Sequence, residues 1–316
     1  MSVITSIHLQ VHPYERCFVN RRWNCDDADQ QLLEQAMDLL SERAWAMEGG
    51  IVRMRIDWLP LLERRRLDAN AEIDPDAEEA LEEAPLVDVF AELIDPRENA
   101  HPMDVTAFVP LFLHESFLML NVAVPGSFGG RMRWSCGVLE NQELVFDARV
   151  FELGWVRAVA NGWPSIEPLS LSAVKAWYDN LGIGIQQLAT TGTASALFHL
   201  LYLARSEEDD LMSVIRLALA LESVFDARGA FLGPRIESVL GRTDSLRGSL
   251  RRFLDDRDAM VVGIAPVAHP MYDDGLDARA DDASLDYTEI VDFASSVIVG
   301  ALQQQVRACN RLSLVV

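Results

Sequence analysis

Few residues in this chain combine a type and a spacing that could do chemistry. The segment Phe253-Leu254-Asp255-Asp256-Arg257-Asp258-Ala259-Met260-Val261-Val262-Gly263 puts an arginine directly before a polar Asp258. A guanidinium stays charged and offers a fixed fork of donors, so it either holds a phosphate or pairs with a carboxylate. Glu222 sits in the apolar run Leu217-Ala218-Leu219-Ala220-Leu221-Glu222-Ser223-Val224-Phe225, where an unpaired charge is costly. An ion pair between Glu222 and Arg257 is therefore expected. His269, just ahead of Pro270, is the only histidine near the Arg257 segment in sequence. It is either a stand-in base or a turn residue.

Other constellations fail on spacing. His114-Glu115 lacks the second histidine of a zinc-protease helix. His8 and His12 are four apart, but their segment alternates like a strand, which puts no helical face under them. His199, between Phe198 and Leu200, reads as a core or interface residue. Cys17, Cys25, Cys136 and Cys309 form no Cys-x-x-Cys pair, so zinc is not expected and the thiols read as reduced cytosolic ones. Gly126-x-x-Gly129-Gly130 is followed by no Gly-Lys-Ser or Gly-Lys-Thr, and no serine sits in a Gly-x-Ser-x-Gly turn. No cofactor or metal is expected.

The elements that must position these residues change character along the chain. Val3–Val11 alternates like a strand, as does Ile51–Trp58. Asp26–Met47 reads as a helix closed by Gly49-Gly50. Residues 68–99 are dense in acid and read as an acidic loop or exposed helix, a docking place for a basic protein partner. Phe108–Val124 and Leu144–Val159 read as strands, with turns at Pro125-Gly126 and Gly129-Gly130. After Trp163-Pro164 helical spacing takes over: Ser170–Leu188, Thr193–Arg205, Leu211–Arg228, Leu246–Val262 and Tyr287–Asn310. The fold class expected is α+β: a mixed accessory domain over 1–165, then an all-α bundle over 166–316.

Composition bounds the function. The chain has 316 residues, enough for about two domains, and half are apolar. The net charge of −22 argues against broad nucleic-acid binding, which rests on Lys and Arg neutralising phosphates. Any RNA contact is then local or shared with a partner. Lys175 is the only lysine, which points to a GC-rich bacterial genome. The best membrane candidate, Phe108–Pro125, is broken by His114 and Glu115. The N-terminus lacks a basic region followed by an apolar one, so no signal peptide and a cytoplasmic location are expected.

Three places taken together give a resemblance. The Leu217–Phe225 run looks like an Ala-Leu-Glu-x-Leu-Phe segment, the Arg257-Asp258 segment follows it, and His269-Pro270 lies downstream. In this order they resemble the Apea-like branch of the HEPN superfamily, over roughly Ser170 to Gln305. The resemblance implies a helical bundle that often dimerises. Two Arg-His motifs then face each other and form one metal-independent ribonuclease site. Such proteins commonly act in phage defence or toxin–antitoxin pairs.

Carried onto this chain, Arg257 supplies positive charge to the phosphate, Asp258 helps to orient it, and the general base falls at position 262. Valine stands there. It has no proton to exchange and no lone pair. The reading that follows is a catalytically degenerate HEPN-like protein that binds protein or RNA, with homodimerisation through the bundle. Two alternatives stay open. One is a ribonuclease using Arg257 with a His lost or substituted at position 262. The other is a structural dimer with no nucleic-acid role.

Overall fold

Alternation along Val3–Val11 (β1) is that of a half-buried strand. Ile7, Leu9 and Val11 are buried, while Ile4 and Ser6 face out. In the computed structural model, β1 lies near the middle of a six-stranded antiparallel sheet, order β2-β3-β4-β1-β5-β6. Its neighbours are Glu42–Met47 (β2), Gly50–Ile56 (β3), Val87–Asp95 (β4), Gly130–Cys136 (β5) and Leu139–Phe146 (β6). The structure describes residues 3–11, 34–36, 38–47, 50–70, 87–136, 139–148, 150–151, 166–183, 192–205, 210–242, 244–261 and 278–313.

The chain divides into two compact units. The first is Met1–Ala148 with Pro168–Gln187, and the second is Arg149–Glu167 with Leu188–Val316. All six strands fall in the first, so the protein is mixed α/β. With them are Leu59–Asn70 (α1), Pro102–Thr106 (α2), Phe108–Ala123 (α3) and Leu171–Asn180 (α4). The boundary read from the sequence near residue 165 counted α4 with the later helices. By contact it belongs with the sheet, where it packs on α3.

Helix α3 covers the inner face of the sheet. Its Phe108 and Phe112 meet Trp45 of β2, and its Phe117 stacks on Phe146 of β6 at 4.8 Å between ring centroids. Aromatic pairs of this kind add specific geometry to a large burial. The helix ends where Asn121, fully buried, stitches the following turn. Its Nδ2 donates to the Phe117 and Phe128 carbonyls, and its Oδ1 accepts from Gly126 N at 3.0 Å. Gly126 has φ 80°, a conformation side chains disfavour.

Several elements differ from the sequence reading. Residues 108–123 are a helix, not a strand. Thirteen of the 16 are buried, so no exposed stripe marks a helical period. Glu42–Met47, expected inside a helix, is an edge strand paired with β3, Trp45 opposite Val52. Its Ala, Glu and Met favour helix, but burial of Trp45 and pairing override propensity. Within the acidic stretch, Leu59–Asn70 is α1 up to residue 70, and Val87–Asp95 is a central strand with Val89, Ala91 and Leu93 buried. Residues 71–86 lie outside the described ones. The strand expected over 144–159 stops as β6 at Phe146, residues 150 and 151 are helical, and 152–159 are not described.

Among its described residues the second unit is helical: Gly192–Arg205 (α5), Asp210–Phe225 (α6), Leu232–Leu240 (α7), Asp244–Val261 (α8) and Ala278–Ser313 (α9). Helix α6 packs against α5, α7, α8 and α9. Its buried Val214, Leu217, Leu221 and Phe225 recur at three- and four-residue steps. In α9 every residue from Asp292 to Gln303 is buried, so the apolar Phe293, Ala294, Val297, Ile298 and Ala301 lie in a segment enclosed on all sides. Gln303, also buried, accepts from Glu167 N at 3.1 Å, and Gln305 accepts from Thr193 Oγ1 at 2.9 Å.

Among the described residues one helix, Asp104–Ala123, is long and apolar enough to cross a membrane, and 78% of its apolar window is buried inside the fold. That is the environment of a core helix. Truncating its centre should expose the cost of the cavity. Phe117→Ala is expected to lose about 3–5 kcal/mol in urea unfolding. A loss below about 1 kcal/mol would mean that α3 does not carry the core of the sheet unit.

Candidate functional site

The site forms where the C-terminal end of α6 meets α8. Helix α8 is anchored by Phe253, 0% exposed, which meets Phe293 of α9 at 6.3 Å. Arg257 lies one turn further on, on the same face. Glu222 follows Leu221, fully buried, in the last turn of α6. Arg257 Nη1 donates to Glu222 Oε1 at 2.9 Å, with side-chain exposures of only 15% and 17%. The ion pair expected from the sequence is formed.

The other edge of the Arg257 guanidinium turns to its neighbour. Nε donates to Asp258 Oδ1 at 2.8 Å, and Nη2 lies 2.7 Å from the same oxygen. Two carboxylates thus share one guanidinium. Glu222 also has a second cation: Arg228 Nε lies 3.6 Å from Oε2. Arg228 follows the end of α6, where Asp226 has φ 49°. Alongside is an open groove of about 280 Å³ lined by Gly192, Glu222, Ser223, Asp226, Ala227 and Arg228. Ser223 Oγ reaches Ser195 Oγ at 3.2 Å.

Arg257, Asp258 and Glu222 are therefore brought together. Val262 and His269, the position of the base and its substitute, lie outside the described residues. Of the other candidates, His8 Nε2 meets Asp88 Oδ1 at 2.8 Å and stacks on Phe90. His12, Cys17 and Cys25 are outside the described residues. His114 packs edge-on to Phe146. Among the described residues no three of His, Cys, Asp and Glu are grouped to hold a metal ion.

A second charged cluster, in the sheet unit, escaped the sequence reading. Arg43 of β2 reaches Glu115 of α3 at 2.8 Å and Asp179 of α4 at 2.5 Å, and Lys175 reaches Asp179 at 2.7 Å. Burial pushes the Glu115 carboxyl above its ordinary range, and the charge and hydrogen bond of Arg43 only partly offset it. Burial acts the same way on Asp179, but hydrogen bonds from Lys175 and Arg43 prevail and hold its pKa down. Burial also pushes Tyr178 well up. A lone glutamate inside the apolar run of α3 was the available signal: a charge buried there needs a cation.

A scan against protein-family models found no match to this chain, nor did searches of curated proteins and of solved structures.

Breaking the cluster strands a buried charge, so Arg43→Ala is expected to cost about 3–5 kcal/mol in chemical denaturation. A cost near zero would make the cluster incidental. Asp179 contributes a pH-dependent part. Its depressed pKa means the contribution is full above the ordinary carboxylate range and is lost as pH falls through its folded value. Thermal melts should show a shallower acid-side loss of stability in Asp179→Asn than in the unaltered chain. Parallel slopes would contradict the assignment.

Proposed function

We propose that this chain is a HEPN-like protein of a bacterial defence or toxin–antitoxin system, catalytically degenerate, that acts by binding protein or RNA. One observation carries the reading: the Arg257 guanidinium is shared by Glu222 and Asp258. An arginine held by two carboxylates is placed for holding structure together, not for meeting negative charge that builds on a phosphate.

Position 262 favours the same reading. Valine cannot accept or give a proton, and loss of an acid–base group costs about 10²–10⁴ in rate. The net charge of −22 favours a local contact or a basic protein partner over a long nucleic-acid track. The acidic stretch within 68–99 is the proposed docking place for that partner, the helical unit the proposed contact of a homodimer, and the cytoplasm the proposed location.

The test is cleavage of a labelled RNA by the purified protein beside Arg257→Ala and Val262→His. The expected result is no cleavage by the unaltered chain or by Arg257→Ala. Cleavage that disappears in Arg257→Ala would overturn the proposal and make the protein a metal-independent endoribonuclease. Activity gained only in Val262→His would identify the missing base as the sole defect.

A further inference from the structure

Glu222 occupies an unusual position: one carboxylate between two arginines of opposite exposure. Arg257, 15% exposed, holds Oε1 from within at 2.9 Å. Arg228, 79% exposed, stands 3.6 Å from Oε2. The open groove of about 280 Å³ begins at this carboxylate, and it is roomy enough for a phosphate group. We infer that Glu222 is a built-in competitor for an anion site formed by Arg257 and Arg228, and that a phosphate-bearing ligand binds there by displacing it. The inference rests on the proposed reading of the chain as one that acts by binding, and it adds a way for Arg257, held by Glu222 in the structure, to be released to a ligand.

The chemistry of the lining supports a tetrahedral oxyanion. Arg228 lines the groove with one guanidinium, and Arg257, behind the Glu222 carboxylate, supplies a second once that carboxylate moves. Ser223 lines the groove with a hydroxyl that donates to Ser195 in the structure and can rotate to an anion, and α5 opens into the groove at Gly192 with the positive end of its dipole. Against the anion stand Glu222 itself and Asp226, which also lines the groove. The arrangement supplies an alternative place for the displaced carboxylate. When a phosphate takes Arg257 Nη1, Glu222 keeps Arg228 and does not become a buried, unpaired charge. Asp258, 68% exposed, stays on the other edge of Arg257 throughout.

The consequence is a site closed by its own side chain. Its affinity for phosphate is set by competition, in addition to long-range charge. Removing the charge of Glu222 should therefore do more than removing the charge of Asp226, which is the same change in the same groove without the contact to Arg257.

The experiment uses the full chain, with inorganic pyrophosphate titrated by calorimetry and a labelled single-stranded RNA titrated by anisotropy. Glu222→Gln is expected to tighten binding by about tenfold or more, the scale of one charged hydrogen bond. Asp226→Asn should tighten it clearly less, and the gain should vanish in Glu222→Gln/Arg257→Ala. A gain with both probes identifies the anion site itself, and a gain with RNA alone identifies an oligonucleotide as the source of the phosphate. Arg228→Ala should weaken binding in the unaltered chain but have little effect in the Glu222→Gln background.

Should Glu222→Gln fail to fold, Glu222→Asp keeps the charge but shortens its reach, and it too is expected to tighten binding. Equal gains in Glu222→Gln and Asp226→Asn would overturn the competitor role. Binding that depends on Arg257 but is unmoved by either Glu222 variant would overturn the inference and leave the proposed function standing. Absence of binding in every variant would overturn the inference and remove RNA from the proposed function as well.

Discussion

The ion pair between Arg257 and Glu222 is the interaction on which the helical unit's site depends. Each side chain emerges beside a fully buried residue, and each carries a charge that its surroundings do not solvate well. Each is the other's least exposed partner, beside the more exposed Asp258 and Arg228. The pair therefore fixes where the end of α6 meets α8, and with it the position of Arg228, Asp258 and the groove. It also decides what the arginine is available to do. A guanidinium whose donors already face two carboxylates begins from a closed state, and any ligand must compete for it.

The sheet unit solves the same problem with different residues. Arg43, Glu115, Asp179 and Lys175 come from an edge strand and two helices, and they converge where α4 joins α3 and the sheet. Here Glu115 lies deeper and the carboxylates diverge: Glu115 is driven up by desolvation, while the more exposed Asp179 is held down by its two donors. Among the described residues Asp95, Glu115 and Glu222 each meet an arginine, although acid outnumbers base across the whole sequence. Surface acid can stay solvated, but buried acid must find an arginine or the single lysine.

Legibility followed the period of the pattern. β1 and β3 alternate, and the long helices of the second unit repeat at helical steps, so both were readable. The Glu222–Arg257 pair was readable for a related reason, since an isolated glutamate in an apolar run demands a partner. α3 was not readable as a helix, because a segment buried all round has no period to show, and only its length separates it from a strand. β4 does alternate, with Val89, Ala91 and Leu93 turned inward. Its outward Asp88 and Glu92 hid it inside the acidic stretch. β2 reads as a helix because its composition favours one, and only pairing with β3 makes it a strand. α7, assigned no element from the sequence, is short and carries Gly233 and Pro234 in its first turn, where proline is tolerated. The Arg43 cluster could not be assembled from sequence, because its members lie far apart along the chain.

The most direct test of this account is a double-mutant cycle on stability with Glu222→Ala, Arg257→Ala and both together, read by urea unfolding. If the pair organises the site, the losses are non-additive and the coupling is about 1 kcal/mol or more. Additive losses, within about 0.5 kcal/mol, would show that the two residues do not depend on each other. Arg257 would then be free for other chemistry, and the closed-site account would fail.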